Sequence, residues 1–496
     1  MIKTITRRAL LAGLGSGLGW AALADAPITS LVPPSRPTDF IKRTVSPVDA
    51  LIAQANLSGE IGYVVADART GLVLEARNPN TGLPPASVAK SITTAYGLAH
   101  LGAGHRFSTQ VVATGPIKSG KIQGDLVLVG GADPVLDTDG LAQLVKSLKA
   151  KGITGLSGGF KVYSAALPYV AAIDPDQPDH LGYNPAISGL NLNHNRVHFE
   201  WKRSGEGYSV AMDARSDHFR PAVSMSRMKI VNRSLPVYTY KASSGVDNWT
   251  VAKGALGKGG SRWLPVRRPD LYAAEVFQVL ARSQGIRLSK PKAARKMPKG
   301  TVVASHSSAP LSDIARSMLK YSTNLTAEVI GLSATQKRGG APSSLSASAR
   351  EMSAWVQSNL GAKSAKFVDH SGLSDASRIS AQDMVNALVS LGANGPLHGL
   401  MKEIPARGQD GKTIKSAAYK VRAKTGTLNF VSALAGYIVG ADGTPMVFAI
   451  FTADLKQRRG IKRADRERPQ GAKGWSRRSR LLQYKLINRW ATLYGT

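Results

Sequence analysis

Ser87 and Lys90 stand three residues apart in the stretch LPPASVAKSITTAYGL, which runs from Leu83 to Leu98. Residues at that spacing share one face of a helix, so the Lys90 amine can approach the Ser87 hydroxyl. The double proline Pro84-Pro85 breaks the chain just upstream and predicts a helix from about Ser87. The positive end of a helix dipole suits developing negative charge there. A serine is a poor nucleophile until a neighbouring base takes its proton. A lysine can serve as that base only if burial or a second cation lowers its pKa.

The spacing alone is unspecific, because Ser226/Lys229, Ser289/Lys292 and Ser317/Lys320 repeat it. Pro291 interrupts the third pair, and the second lies in a β-rich region. The fourth sits on an amphipathic helix, where it reads as a surface pair. A second cation for Ser87 and Lys90 is available in Lys424-Thr425-Gly426, the only Lys-Thr-Gly in the chain. On a strand, Lys424 and Gly426 point to one side and Thr425 to the other. Gly426 would let a substrate backbone lie close to the strand edge; alone, the segment also reads as a solvated edge strand. A third piece, YSTNLTAE, carries Ser322 and Asn324 between two helical runs, where such residues commonly cap helices.

Taken together and in this order, Ser-x-x-Lys opening a helix, Ser-x-Asn and Lys-Thr-Gly form the signature of penicillin-interacting serine enzymes. The chain resembles the D-alanyl-D-alanine carboxypeptidase/endopeptidases, the class C low-molecular-mass penicillin-binding proteins. The resemblance covers nearly the whole mature chain. It includes GDLVLVGGADPVL and YNPAISGLNLNHNRV in the long interval between the first two motifs, and STNLTAE and DHSGLSDASRIS beyond it. The family usually has an acidic residue or Asn where Thr323 stands, Gly at His370, Arg at Asp375 and Asn at Ser377. The last three departures are expected near the rim of the site, where they bear on side-chain preference for the stem peptide.

The resemblance implies a serine D,D-peptidase that acts on peptidoglycan stem peptides and is acylated by β-lactam antibiotics. In that scheme Ser87 attacks the carbonyl of D-Ala-D-Ala or of a D-Ala-to-diaminopimelate cross-link, and Lys90 takes the serine proton. Ser322 and Lys424 relay it to the leaving amine, while Asn324 orients the substrate amide and Lys90. Backbone N–H groups of Ser87 and Thr427 form the oxyanion hole. The Thr425 and Thr427 hydroxyls, with the Lys424 charge, hold the terminal carboxylate, and Gly426 completes the substrate-binding strand. No metal or cofactor is implied.

These residues need elements to hold them. IGYVVADARTGLVLEARN reads as two strands around a turn from Asp67 to Gly71. Residues 105–268 show many short β-like runs separated by Gly, Asp and Pro, without long helical periodicity. Helical spacing returns in PDLYAAEVFQVLARSQG, LSDIARSMLKYSTNLTAEVIGLSA and AQDMVNALVSLG. FVSALAGYIVG and PMVFAIFTADL flank Ala441-Asp442-Gly443-Thr444 as a β-hairpin, and RRSRLLQYKLINRWATLY closes the chain as a helix. The expected fold is α+β. A penicillin-binding/serine β-lactamase-like catalytic domain, an antiparallel sheet flanked by helices, is formed by residues 46–104 and 269–496. A large inserted mostly-β module at 105–268 splits it.

The N-terminus TRRALLAGLGSGLGWAALADA pairs Arg7-Arg8 with a Gly-rich, weakly apolar stretch and small-residue cleavage patterns ending at Ala24 and Ala26. It resembles a twin-arginine export signal; a general secretory signal is the plainer reading. Residues 1–26 are therefore set apart from the fold, and 27–45, with Pro27, Pro33, Pro34 and Pro37, read as an extended lead-in. A periplasmic location follows. The absence of cysteine excludes disulfides, thiolate metal sites and a Cys nucleophile.

The formal net charge of +33 should attract polyanions. From Lys456 to Arg489 there are thirteen Lys/Arg against Asp465 and Glu467. Such a run reads as a solvated face or as a surface docking on anionic envelope polymer. Export removes nucleic acid as a partner. Two rivals share some of these features: a serine β-lactamase, for which no Glu-x-x-Leu-Asn element is present, and an exported non-catalytic cell-wall-binding protein.

Overall fold

Alternation along the strands builds the central sheet. In Glu60–Asp67, Tyr63 and Val65 face one side while Val64 and Ala66 face the other. Val431–Val439 and Pro445–Ala453 alternate in the same way, so these central strands are buried on both faces. The computed structural model describes residue 42 and residues 45–408 and 410–496. The expected export signal lies outside the described residues, as does the lead-in apart from Lys42 and Val45.

The sheet has six strands in the order Lys402–Glu403, Lys420–Leu428, Val431–Val439, Pro445–Ala453, Glu60–Asp67 and Val73–Arg77. All neighbours are antiparallel. Strands from residues 60–77 and from residues 402–453 thus meet in one sheet. The two expected hairpins are present: the Asp67 carboxylate accepts from the Arg69 and Thr70 N–H groups in the first turn, and Asp442 accepts from the Thr444 N–H in the second.

One face of the sheet is covered by the helices Val48–Ala55 and Ala472–Tyr494, through Leu51, Leu482, Leu486 and Trp490. Full burial of Leu482 and Leu486 stabilises the fold by about 1.5–3 kcal/mol each. The other face packs against Ala89–Leu101, Leu345–Asn359 and Ala381–Leu391. Leu311–Tyr321 and Asn324–Lys337 add a further helical layer through Ile314, Met318, Val329 and Ile330.

The intervening chain forms its own layers. A five-stranded sheet runs Lys292–Ala293, Phe160–Tyr163, Leu126–Gly131, Ser108–Ala113, Thr301–Ser307. Three three-stranded sheets, built around Arg196–Ser204, Val246–Ala252 and Lys121–Ile122 with their neighbours, accompany it. Sheet membership therefore continues past the expected boundary at 268 to Ser307. The Pro269–Ser283 helix packs in the same apolar cluster through Tyr272, Val276 and Phe277. The region also holds the helix Thr138–Ala150, capped by Asp137, whose carboxylate accepts from the Gly140 N–H. Its Leu141, Leu144, Val145 and Leu148 are buried at helical spacing, a short pattern masked by the surrounding Gly and Asp.

Candidate active site

Ser87 sits in the one-turn helix Ala86–Val88, which runs directly into Ala89–Leu101. Ala86 just before it has a φ of +45°, a conformation that an L side chain holds only when its surroundings enforce it. Two glycines let those surroundings close in. A Cβ on Gly426 would lie 2.6 Å from the Pro85 carbonyl oxygen, and one on Gly372 would lie 1.9 Å from that of Ala86. Gly426 thus serves contact between the Lys-Thr-Gly strand and the Ser87 turn. The side that a Gly426 side chain would occupy is filled by that turn, while the expected substrate approach is along the strand edge.

Lys90 is completely buried, and its Nζ has three partners. It lies 3.0 Å from Ser87 Oγ, 2.8 Å from Asn324 Oδ1 and 2.7 Å from the Ser371 carbonyl oxygen. The last two can only accept; Ser87 can donate or accept. A neutral Lys90 therefore keeps all three contacts, giving two N–H bonds to the carbonyl oxygens and receiving the Ser87 O–H. Burial lowers its pKa to about 8, against the opposing pull of Glu328 and Asp369.

Ser322 is the left-handed residue, φ +61°, that ends Leu311–Tyr321. Asn324 begins Asn324–Lys337, and neither side chain caps a helix. Lys424 Nζ instead reaches Ser322 Oγ at 3.1 Å and the Thr425 carbonyl oxygen at 2.7 Å. Burial, with the charges of Lys90 and Lys402, holds Lys424 well below the ordinary lysine range. Asn324 Nδ2 donates to the Tyr183 carbonyl oxygen, 2.9 Å away. The amide thus joins Lys90 to a residue of the intervening chain.

The three motifs converge on one cleft of about 950 Å³, lined by Ser87, Ser322, Asn324 and Thr427 with Tyr183 and Gln177 opposite. Thr425 is exposed, like Thr427, but is not among the lining residues. The strand's outer edge is paired only at Arg422 and Ala423, so residues 424–428 have no partner strand on that side. An extended peptide can add to such an edge. Of the other Ser-x-x-Lys pairs, none reaches this cleft.

Two buried carboxylates behind Lys90 complete the arrangement. Glu328 accepts from the His370 and Ser371 N–H groups through separate oxygens, both at 2.9 Å. Asp369 accepts from the Gly372 and Ser374 N–H groups. Together they hold the loop whose Ser371 carbonyl meets Lys90. Burial and the mutual repulsion of the carboxylates raise Glu328 to about 8; burial raises Asp369 to about 6. Both residues lie inside stretches singled out in the sequence, but nothing in their spacing signalled that they point inward.

A family profile, described as "D-Ala-D-Ala carboxypeptidase 3 (S13) family", matches residues 44–468. The chain belongs to this family. A D-alanyl-D-alanine carboxypeptidase of Actinomadura sp. (strain R39) is 28% identical over 427 residues, covering 80% of this chain and 78% of the relative. D-alanyl-D-alanine carboxypeptidase DacB of Haemophilus influenzae is 24% identical over 424 residues, covering 80% and 87%. The crystal structure of Haemophilus influenzae penicillin binding protein 4 superimposes with a TM-score of 0.69 at 21% identity. That likeness covers 91% of this chain and all of that one. The α+β penicillin-binding fold with an inserted β module and the serine-type carboxypeptidase class are both as expected.

Within the S13 frame, the three departures separate. His370 is fully buried beneath the site, not at its rim. Its Nε2 lies 2.8 Å from Ser348 Oγ, and burial lowers its pKa to about 3, so the ring is neutral. Ser377 is also buried and accepts from the Val368 N–H. Both are placed inward because they help pack the loop against the helices. Asp375 is half-buried and ion-paired with Arg458, which lines the cleft.

The basic run is likewise neither uniformly solvated nor uniformly free. Arg458, Arg463, Arg466 and Arg489 pair with Asp375, Asp179, Asp176 and Glu75. As for metals, among the described residues His198, Glu200 and Asp213 bring their ligand atoms within 4.8 Å of one another. Arg215 already pairs with both carboxylates at 2.7 Å.

Proposed function

We propose that this serine D,D-peptidase uses Ser87 as its nucleophile and Lys90 as the base. The observation that carries the reading is the partner set of Lys90, in which only the Ser87 hydroxyl can supply a proton to a neutral amine. Ser87 Oγ attacks the carbonyl carbon of the penultimate D-Ala and Lys90 accepts the hydroxyl proton. The C–N bond then breaks, and the leaving amine takes a proton through Ser322 and Lys424. Water hydrolyses the ester and frees Ser87. The Ser87 and Thr427 N–H groups hold the oxyanion, where one such donor is commonly worth about 3 kcal/mol. Thr425 and Thr427 with Lys424 take the terminal carboxylate. Cross-links from D-Ala to diaminopimelate are cleaved by the same steps.

A penicillin acylates the same serine, as a relative's complex with a β-lactam supports. The adduct persists because, among the described residues, no free acid faces it. Glu328 and Asp369 lie behind Lys90 and are engaged with backbone N–H groups. Glu467, the acidic residue among those lining the cleft, is held by His180 and Arg262. This favours a peptidase over a β-lactamase. The enzyme works in the periplasm, exported by the twin-arginine route and cut between Ala24 and Pro27.

Mass spectrometry of penicillin-treated protein should place one added mass on the Ser87 peptide, and digestion of purified peptidoglycan should release D-Ala. Acylation elsewhere would refute the assignment, and fast penicillin turnover would move the enzyme to the β-lactamase reading. Changing Arg7 and Arg8 to lysine should block export; unchanged export would exclude the route.

A further inference from the structure

The cleft that holds Ser87 has a cationic wall. The segment between the strand Pro445–Ala453 and the helix Ala472–Tyr494, with the start of the helix, supplies Arg458, Arg466, Arg468, Lys473 and Arg480 to the lining. Two of these charges are matched: Arg458 by Asp375 and Arg466 by Asp176. Among the described residues, Arg468, Lys473 and Arg480 have no carboxylate within ion-pair distance. The Arg480 Nε contacts only the Ser476 carbonyl oxygen, at 3.3 Å.

The wall is also anchored. Arg463 reaches Asp179 at 2.9 Å and the Gln177 carbonyl oxygen at 2.8 Å. Glu467 is gripped by His180 at 2.8 Å and Arg262 at 2.9 Å. Residues 463–468 are thereby pinned to the intervening chain, and Arg468, next to Glu467, is set in place before any ligand arrives. Ordering a site in advance lowers the cost of binding.

We propose that Arg468, Lys473 and Arg480 bind a carboxylate on the substrate distinct from the one at its D-Ala end, so that the enzyme selects acidic stem peptides. The inference rests on the peptidase reading above and adds the substrate's charge to it. A cleft of about 950 Å³ is at the upper end of the range that encloses a drug-sized ligand and takes in more of the stem than the two terminal residues. Within it, unpaired cations on one wall and a single, already neutralised acid make the interior positive.

The test compares two peptides ending in D-Ala-D-Ala and identical except for one stem residue, Glu or Gln. Their binding is measured by titration with Ser87→Ala protein, so that turnover is not required. The acidic peptide should bind about five- to tenfold more tightly at low salt, and high salt should shrink the preference. Lys473→Glu and Arg468→Glu should each cut it by about two- to fivefold. Lys253→Glu makes the same charge change as Lys473→Glu on an exposed turn of the inserted region, outside the cleft lining, and should leave the preference as it was.

Equal binding of the two peptides overturns the proposal. So does an equal effect of Lys253→Glu, which would assign the preference to net charge. Competition by a soluble polyanion without any preference between the peptides would make the wall a polymer-docking surface, and would also overturn it. Failure of the wild-type enzyme to release D-Ala is a separate readout and would count against the peptidase reading.

Discussion

Lys90 and Lys320 each follow a serine by three residues, one at the start of a helix and one near the end of another, yet one is sealed from water and the other stands in it. Lys90 lies under Asn324 and the 369–374 loop, with every donor assigned. Ser317 and Lys320 lie on the outer face of Leu311–Tyr321, where the Lys320 amine rests 5.0 Å over the Tyr321 ring. In Ser226–Val231 the same spacing on a strand puts Ser226 inside and Lys229 outside. Ser289 spends its oxygen on the Phe160 N–H. The spacing becomes chemistry only where another element covers that face and strips the lysine of water.

The largest expected break in this comparison is Ser87→Ala. It should lower D-Ala release by about 10⁵–10⁶-fold, the scale seen when a nucleophile is removed from a cooperating set. Near-normal release would transfer the role to another serine. Lys90→Met keeps the apolar stem and removes the base, so acylation by penicillin should slow by about 10²–10⁴-fold. Stopped-flow acylation kinetics would measure this, and an unchanged rate would mean that Ser87 is activated by some other group.

The motif residues were legible because each lies in a local context that sequence displays: a proline break before Ser87, a helix junction at Ser322, and an alternating strand at Lys424. The carboxylates beneath them were not. Glu328 sits on Asn324–Lys337, a helix buried nearly all round, so no polar stripe marks it as exceptional. The anchoring of residues 463–468 was equally hidden. Its partners Asp176, Asp179 and His180 lie nearly three hundred residues earlier, and a run of arginines reads the same whether paired or free. His370 was expected near the rim from the family resemblance alone; the packing shows that its ring turns inward, beside the equally buried Asp369 and Ser371.

Protonation offers a finer cut between the buried and exposed lysines. Peptidase activity should rise with pH through a limb near 8, as the buried Lys90 loses its proton. Glu328 raises the Lys90 pKa by its charge, so Glu328→Gln should move the limb to lower pH. It also leaves one of two buried N–H groups without an acceptor, at a cost of about 1–3 kcal/mol. A limb that stays in place or moves up would remove Glu328 from the site's electrostatics. Stability carries the same signature. The unfolded chain keeps the lysine proton to about pH 10.5 and the folded chain only to about 8, so stability should rise across that window. Glu328, at about 8 folded against 4.5 unfolded, should make stability fall from pH 4.5 to 8. Denaturant titrations at several pH values would show a minimum near 8 if both act.

The smallest effect is expected at the exposed pair, and it is what makes the comparison sharp. Ser317 and Lys320 share the helical geometry and the residue types but lack a cover, so nothing removes water from the amine or holds the serine hydroxyl against it. Ser317→Ala should leave penicillin acylation and D-Ala release unchanged. Lys320→Ala should cost at most about 0.5–1 kcal/mol of stability through the lost contact with the Tyr321 ring, read as a shift in the denaturant midpoint. It should leave the pH limb near 8 untouched, since an exposed ammonium is screened from the site by solvent and salt. A change in that limb with Lys320→Ala would mean that helical spacing carries electrostatic influence without burial. The distinction between the two pairs would then rest on something other than the elements packed over Lys90.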